Sequence, residues 1–280
     1  MLLQILVNGI LKGGLYALMA MGMSLIWGVM DIINIAHGSF IMLGAFTTYW
    51  LFTLLGMDPF VSLVFSTAIL FVLGYGVQRF LINYVIRASA FITLILAFGI
   101  EIFINNAALV SWTADVRKVK VSYGAANFSL GSYATIPTIR LLAFLLVIVI
   151  SLVFFFILNR TNLGRSIRAT SQDLEGARLV GVDVARTYAV TFGLGVGAAG
   201  AAGTLWSILF PISPLMGGEL TLKSFVVVII GGLGSMVGPI IGLPVLRLRG
   251  HYFAIATLGV AEAMKALVQN LEITEGNSGI

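Results

Sequence analysis

The chain has 280 residues, of which 59% are hydrophobic and 10% charged, with a formal net charge of +5. Soluble domains carry about 25% charged residues, so this composition, with a mean hydropathy of +1.07, excludes a soluble globular protein and predicts an all-α, polytopic transmembrane helical bundle. Cysteine is absent and histidine occurs twice, which excludes disulfides and thiolate metal sites and argues against a histidine metal centre. No cofactor is expected, and the excess of Lys and Arg marks cytoplasmic loops rather than nucleic-acid binding.

A spanning helix needs about 20 apolar residues. The first such run covers residues 3–30. It is too long for a cleavable signal peptide, and no basic segment precedes it. Lys12 lies near one end, where it can snorkel to the interface. A polar break, Asp31 to Gly38, precedes a second run ending near residue 55. Gly38 and Gly44 can break that helix, so a broken or re-entrant second helix is expected, with Asn34, His37 and Gly38 placed toward a polar substrate. An interfacial loop histidine is the structural alternative.

Further runs follow at about residues 60–82, 91–111, 141–158, 187–209 and 222–241, which makes seven spans. A marginal or incomplete eighth covers about 252–271. Residues 112–138 form a polar loop, and residues 211–218 an irregular connection. Glu101 lies in mid-span with Asn105 one turn later. An ionisable group there is a functional candidate by default, with a polar clamp between helices as the structural alternative. Small residues recur every fourth position at Gly193 and Gly197, and at Gly234, Gly238 and Gly242. That spacing puts them on one helix face, where backbones approach closely.

The longest polar stretch that looks helical is 159–186. It carries Arg160, Arg165, Arg168, Arg178 and Arg186 against Asp173, Glu175 and Asp183. With the N-terminus outside, nine basic loop residues fall inside and five outside, which favours a cytoplasmic position for this stretch. A short amphipathic helix is expected at 175–181, closed by a turn at Gly181. On the residues alone, two readings stand: a docking surface for another protein, or a helix lying on anionic headgroups.

The segment Glu175-Gly176-Ala177, followed after three intervening residues by Gly181, resembles the cytoplasmic coupling loop of ABC importer permeases, whose pattern is Glu-Ala-Ala, three residues, then Gly. Gly176 departs from it by one small residue for another. The stretch from Arg168 through Asp183, the segment Asn34-Ile-Ala-His37-Gly38 with Met42-Leu-Gly44-Ala45, and Ile230 through Ser235 with Gly238 resemble the permeases of branched-chain amino-acid importers, the H-type of the pair. The resemblance spans about residues 5–242. It implies that Arg168, Asp173, Glu175, Gly176, Ala177, Arg178 and Gly181 couple to an ATPase. It also implies a bacterial inner-membrane location and a set of partners: two cytoplasmic ATPase subunits, a paired permease and an external substrate-binding protein, all around the lipid bilayer. The chain has no nucleotide-binding motif of its own, so it is expected to be no enzyme. Permeases for urea or short amides share much of the pattern. The residues also fit a proton-coupled carrier using Glu101, or a truncated or fused non-functional permease.

Residues 1–242 are thus read as the permease domain and 243–280 as an atypical C-terminal segment. Residues 243–259 resemble an internal stretch of the partner, M-type permease. The spacing of Arg87, Phe91 and Glu101 is echoed, with one gap, by Arg249, Phe253 and Glu262. A gene fusion or deletion near residues 238–243 accounts for both features; natural divergence of an intact permease is the competing explanation.

Overall fold

The structure, a computed structural model, describes residues 2–86, 90–121, 127–130 and 134–231. Seven helices within it are long and apolar enough to cross a membrane. They are α1 (Leu2–Met30), α2 (His37–Leu55), α3 (Pro59–Val77) with its continuation, α5 (Ala90–Trp112), α6 (Thr138–Arg160), α9 (Val184–Leu209) and α10 (Gly217–Gly231). The continuation of α3 is a π-helical turn, Gln78–Ile82, followed by the single turn α4 (Asn83–Val85). Between α6 and α9 lie two short helices, α7 (Asn162–Gln172) and α8 (Leu174–Leu179). The 112–138 loop contains a two-stranded antiparallel hairpin, β1 (Asn127–Leu130) and β2 (Ala134–Pro137), in a register that pairs Asn127 with Pro137. The bundle is otherwise all-α as expected.

The centre is α9. It is among the least apolar of the spans, yet 89% of an 18-residue stretch of it is buried, whereas the corresponding stretch of α6, the most apolar, is only 22% buried. This ordering is natural in lipid. Apolar side chains gain nothing by leaving a hydrocarbon solvent, so the interior goes to the helix with the smallest side chains, which admits close backbone packing. A Cβ on Gly203 would sit 2.1 Å from the Ile41 carbonyl oxygen of α2; one on Gly44 would sit 2.6 Å from Gly200. Gly22 of α1 faces Gly195 in the same way. Gly193 and Gly197 face Phe71 and Thr67 of α3, with a looser fit at Gly197, where the nearest atom is 3.3 Å from a built Cβ. Hydroxyls join the layers where the backbones touch: Thr48 and Thr204 share a 2.7 Å hydrogen bond, and Ser66 donates toward the carbonyls of Gly44 and Gly200. Gly234, Gly238 and Gly242, Arg87 and the C-terminal segment 243–280 lie outside the described residues.

Two boundaries differ from expectation. The irregular backbone lies upstream of α2, at Asp31–Ala36, with Asp31 at a φ of 53°. The helix then runs unbroken through Gly38 and Gly44, because both glycines are contact points and not breaks. The seventh span starts at Pro214, not at residue 222. Gly217 and Gly218 belong to its helix, and α2 crosses there: a Cβ on Gly217 would lie 2.9 Å from Ser39 Oγ, and one on Gly38 would lie 1.9 Å from the Gly217 carbonyl oxygen.

Candidate functional site

The two ends of the bundle are chemically distinct. At one end lie the hairpin, the Arg140–Asn8 hydrogen bond and the bridge between Arg117 and Ile212. Arg117 there lies over the rings of Tyr49 and Trp50. At the other end lie α7 and α8, the segment predicted to be a polar helical loop.

This second end is ordered by caps. The Thr161 hydroxyl accepts from the Gly164 N–H and starts α7. Gly164 must be small, since a Cβ there would sit 2.1 Å from the Leu158 carbonyl oxygen. Arg168 donates to that same carbonyl and ties α7 to the end of α6. The Asp173 carboxylate accepts from the N–H groups of Glu175 and Gly176 at 3.1 and 3.0 Å, capping α8. Gly176 sits so close under this cap that a Cβ would lie 2.5 Å from Asp173 Oδ2. The end of α8 is equally defined. Gly181 N–H bonds to the Arg178 carbonyl, Val182 N–H bonds to the Ala177 carbonyl, and Gly181 has a φ of +83°. This is the Schellman arrangement, which needs a residue that tolerates the left-handed conformation. Asp183 then caps α9 through the Arg186 N–H.

Ala177 is the buried face of α8. Glu175 and Arg178 pair across one turn at 2.5 Å. Beyond them Leu179 and Val180 stand 88% and 77% exposed. Beside the helix is a cleft of about 320 Å³, lined by Met30, Asn83, Ile86, Leu174, Arg178 and Tyr188 among others. The result is a rigid six-residue helix with a charged pair on its flank, an apolar tip and an adjoining hollow. An exposed apolar tip rimmed by polar groups suits contact with another protein or with lipid headgroups. Arg168, Asp173, Glu175, Gly176, Ala177, Arg178 and Gly181 therefore form one continuous structure, with Leu179 and Val180 as its exposed apolar tip.

The residues expected along a substrate path divide into two groups. Gly38, Asn105 and Glu101 gather around the start of α10, with Gly38 buried and the two polar residues half-buried. The start of α2 meets the start of α10 there: Thr221 Oγ1 accepts from Gly38 N–H at 2.8 Å and donates to the Ile35 carbonyl at 2.9 Å. Ser39 Oγ donates to Asn105 Oδ1 at 2.8 Å. Asn105 is thus held by α2. The Glu101 carboxylate lies beside Gly218, 3.8 Å from where a Cβ would be. His37 turns the other way. It is fully buried, and its Nε2 bonds to the Met19 carbonyl at 2.9 Å, halfway along α1. Asn34 is buried in the irregular stretch before α2, where its carbonyl accepts from His37 N–H. His37 and Asn34 therefore position the entry to α2, and the polar cluster is built by Ser39, Asn105 and Thr221. Ser39 and Thr221 were not legible as site residues, because a lone hydroxyl in an apolar run carries no spacing signal.

From Met30 to the level of Met19 is a climb of about 16 Å at 1.5 Å per residue, within the roughly 20 Å reach of six extended residues. Asp31–Ala36 thus carries non-helical backbone to membrane depth, where Ile32, Asn34 and Ala36 are all buried. Such backbone is tolerated only when protein groups satisfy it, and Thr221 does so at Ile35 and Gly38. Among the described residues, no group of three or more metal-ligating side chains occurs.

Comparison with known proteins gives a consistent result. A family model described as branched-chain amino acid transport system, permease component, matches residues 5–246. The chain is 30% identical to the high-affinity branched-chain amino acid transport system permease protein LivH of Salmonella typhimurium, over 96% of this chain and 88% of that protein. It is 30% identical to the corresponding permease BraD of Pseudomonas aeruginosa, over 86% of this chain and 82% of that protein. A stretch of 53 residues is 49% identical to LivM of Escherichia coli K12, covering 19% of this chain and 12% of that protein; this supports the resemblance to a paired, M-type permease. No solved structure matches.

Proposed function

This chain belongs to the family of branched-chain amino acid transport system permease components, and from that membership we propose that it is the membrane-spanning subunit of an ATP-driven importer of leucine, isoleucine or valine. The α7–α8 end faces the cytoplasm, as the arginines gathered there favour. Two ATPase subunits bind at α8, a paired permease completes the bundle, and a binding protein delivers substrate at the hairpin end. The chain itself hydrolyses nothing.

The observation that carries this reading is the exposed Leu179–Val180 tip on a helix fixed at both ends by caps. A pair of large apolar side chains at 88% and 77% exposure on a polar, arginine-rich end is a surface prepared for a partner. Its placement supplies the mechanics. Only Val180–Asp183 separates α8 from α9, and α9 packs on α1, α2 and α3. A push on α8 by a closing ATPase pair reaches the central helix directly, and interfaces this tightly packed respond by switching rather than by gradual yielding.

The test is transport in vesicles containing this chain, the paired permease, both ATPases and the binding protein. Leucine uptake that requires internal ATP is expected. Uptake of urea with none of leucine would overturn the substrate assignment. Uptake driven by a proton gradient without the ATPases would overturn the energy source.

A further inference from the structure

Most outward faces of the spans are apolar. Val64 and Val72 of α3, Phe98 and Phe103 of α5, and Leu152 and Phe156 of α6 all stand exposed, as surfaces in contact with lipid should. The first two turns of α10 break this rule. Glu219 and Lys223 form an ion pair at 2.5 Å within the Pro214–Gly231 span, with their side chains 67% and 35% exposed. Lys223 Nζ also sits 5.4 Å from the ring of Trp206 and 5.9 Å from that of Tyr16. Glu101 borders the same helix start at Gly218. A charged pair exposed at this depth is strongly disfavoured against hydrocarbon. The face must meet water or another protein.

We propose that Glu219 and Lys223, with the aromatic faces of Tyr16 and Trp206, form a water-lined station that binds the zwitterionic head of an α-amino acid on its way through the permease. This rests on the amino-acid import reading. The chemistry matches in both signs. Lys223 offers an ammonium to the substrate carboxylate, and Glu219 offers a carboxylate to the substrate ammonium. The two rings that flank Lys223 can take up a cation as well. In the empty state the two side chains satisfy each other. Exposed ion pairs of this i,i+4 type are weak, so a zwitterion can open the pair and replace one bridge by two with no net change of charge. Lys223 lies near Trp206, one turn from the hairpin end of α9, which places the station in the half of the bundle where substrate would arrive.

The absence of cysteine from this chain gives a direct test. Glu219→Cys and Lys223→Cys are each introduced into the complete transporter and treated with a charged, membrane-impermeant thiol reagent. Phe103→Cys and Leu152→Cys serve as lipid-facing controls. Labelling of this chain at 219 and 223 should exceed the controls about tenfold or more, and leucine-loaded binding protein with ATP should slow it. Lys223→Gln should lower leucine uptake about tenfold, the worth of one charge-assisted hydrogen bond, and Lys223→Arg should restore most of it. Inert cysteines at both positions would mean that lipid or a second protein covers the face, and would overturn the proposal. Labelling that leucine does not slow, or full uptake by Lys223→Gln, would overturn it as well. If the unsubstituted transporter carries no leucine at all, the amino-acid reading has failed and not the station alone.

Discussion

Consider Gly203→Ala, the addition of one methyl group to the central helix. In an isolated helix the change is favourable by up to about 1 kcal/mol, since alanine has the higher helix propensity. Here the new Cβ would lie 2.1 Å from the Ile41 carbonyl oxygen, 2.7 Å from the Ala45 nitrogen and 3.0 Å from the Gly44 carbonyl carbon. All three are backbone atoms of α2, so no rotamer change relieves the contact. The helices must part by more than 1 Å to restore normal separation, judged against carbon–carbon contacts of about 3.5–4.0 Å. Overpacking of this kind costs about 1–3 kcal/mol. Separation also stretches the 2.7 Å bond between Thr48 and Thr204, and interhelical hydrogen bonds in membranes contribute about 0.6 kcal/mol on average. The steric effect outweighs the propensity gain, and a net loss of about 1–3 kcal/mol is expected. Thermal unfolding of the purified complex in detergent should show a midpoint lowered by several degrees. Gly13→Ala, where nothing lies within 4 Å of the new Cβ, should be neutral or slightly stabilising. A Gly203→Ala protein that melts with the unsubstituted one, or a Gly13→Ala protein that melts lower, would refute the reasoning.

Three other outcomes follow from the geometry. Gly181→Val forces a β-branched residue to a φ of +83°, a strain of at least about 1–2 kcal/mol; the end of α8 should loosen, and ATP-dependent uptake should fall while membrane insertion is unchanged, as scored by uptake and membrane fractionation. Thr221→Val removes the hydroxyl that bonds both Gly38 N–H and the Ile35 carbonyl, leaving buried backbone groups unsatisfied at about 1–3 kcal/mol; the unfolding midpoint should drop more than for Thr67→Val, whose hydroxyl bonds only within its own helix, to Leu63. Glu101→Gln should leave uptake dependent on the ATPase subunits; loss of uptake together with indifference of the unsubstituted chain to those subunits would favour a proton-coupled carrier.

Much of this fold was legible because span length and apolarity are direct consequences of bilayer thickness. The seven runs appear in the sequence as apolar stretches with few polar interruptions, and each overlaps a spanning helix among the described residues. What was not legible came from contacts between segments distant in sequence. Gly38, Gly44, Gly217 and Gly218 read locally as helix breakers or linker residues, yet all four lie in helices because another chain segment crosses or borders them. The dominance of α9 was hidden for the same reason: its run of glycine and alanine lowers its hydropathy while making it the best core helix. The spacing of Gly193 and Gly197 was visible, but the tighter contacts at Gly200 and Gly203 were not. In the loop, the closing turn at Gly181 was readable, whereas the Asp173 cap and the close fit of Gly176 beneath it emerge only in the structure. His37 was placed in sequence with the substrate path, but its ring bonds α1, 18 residues away, a partner no local pattern identifies. The hairpin at 127–137 went unforeseen because its strands are only four residues each.

The most direct test of the docking surface is co-purification. This chain, with the paired permease, is expressed alongside the two ATPase subunits, and the pull-down is repeated with Leu179→Asp and Val180→Asp combined. Charges placed at the exposed tip leave the caps at Asp173, Gly181 and Asp183 untouched, so insertion and folding should persist while ATPase retention falls at least about tenfold, the effect of losing a central apolar contact. Undiminished retention by the doubly substituted chain would contradict the account: α8 would then not be where the ATPase binds.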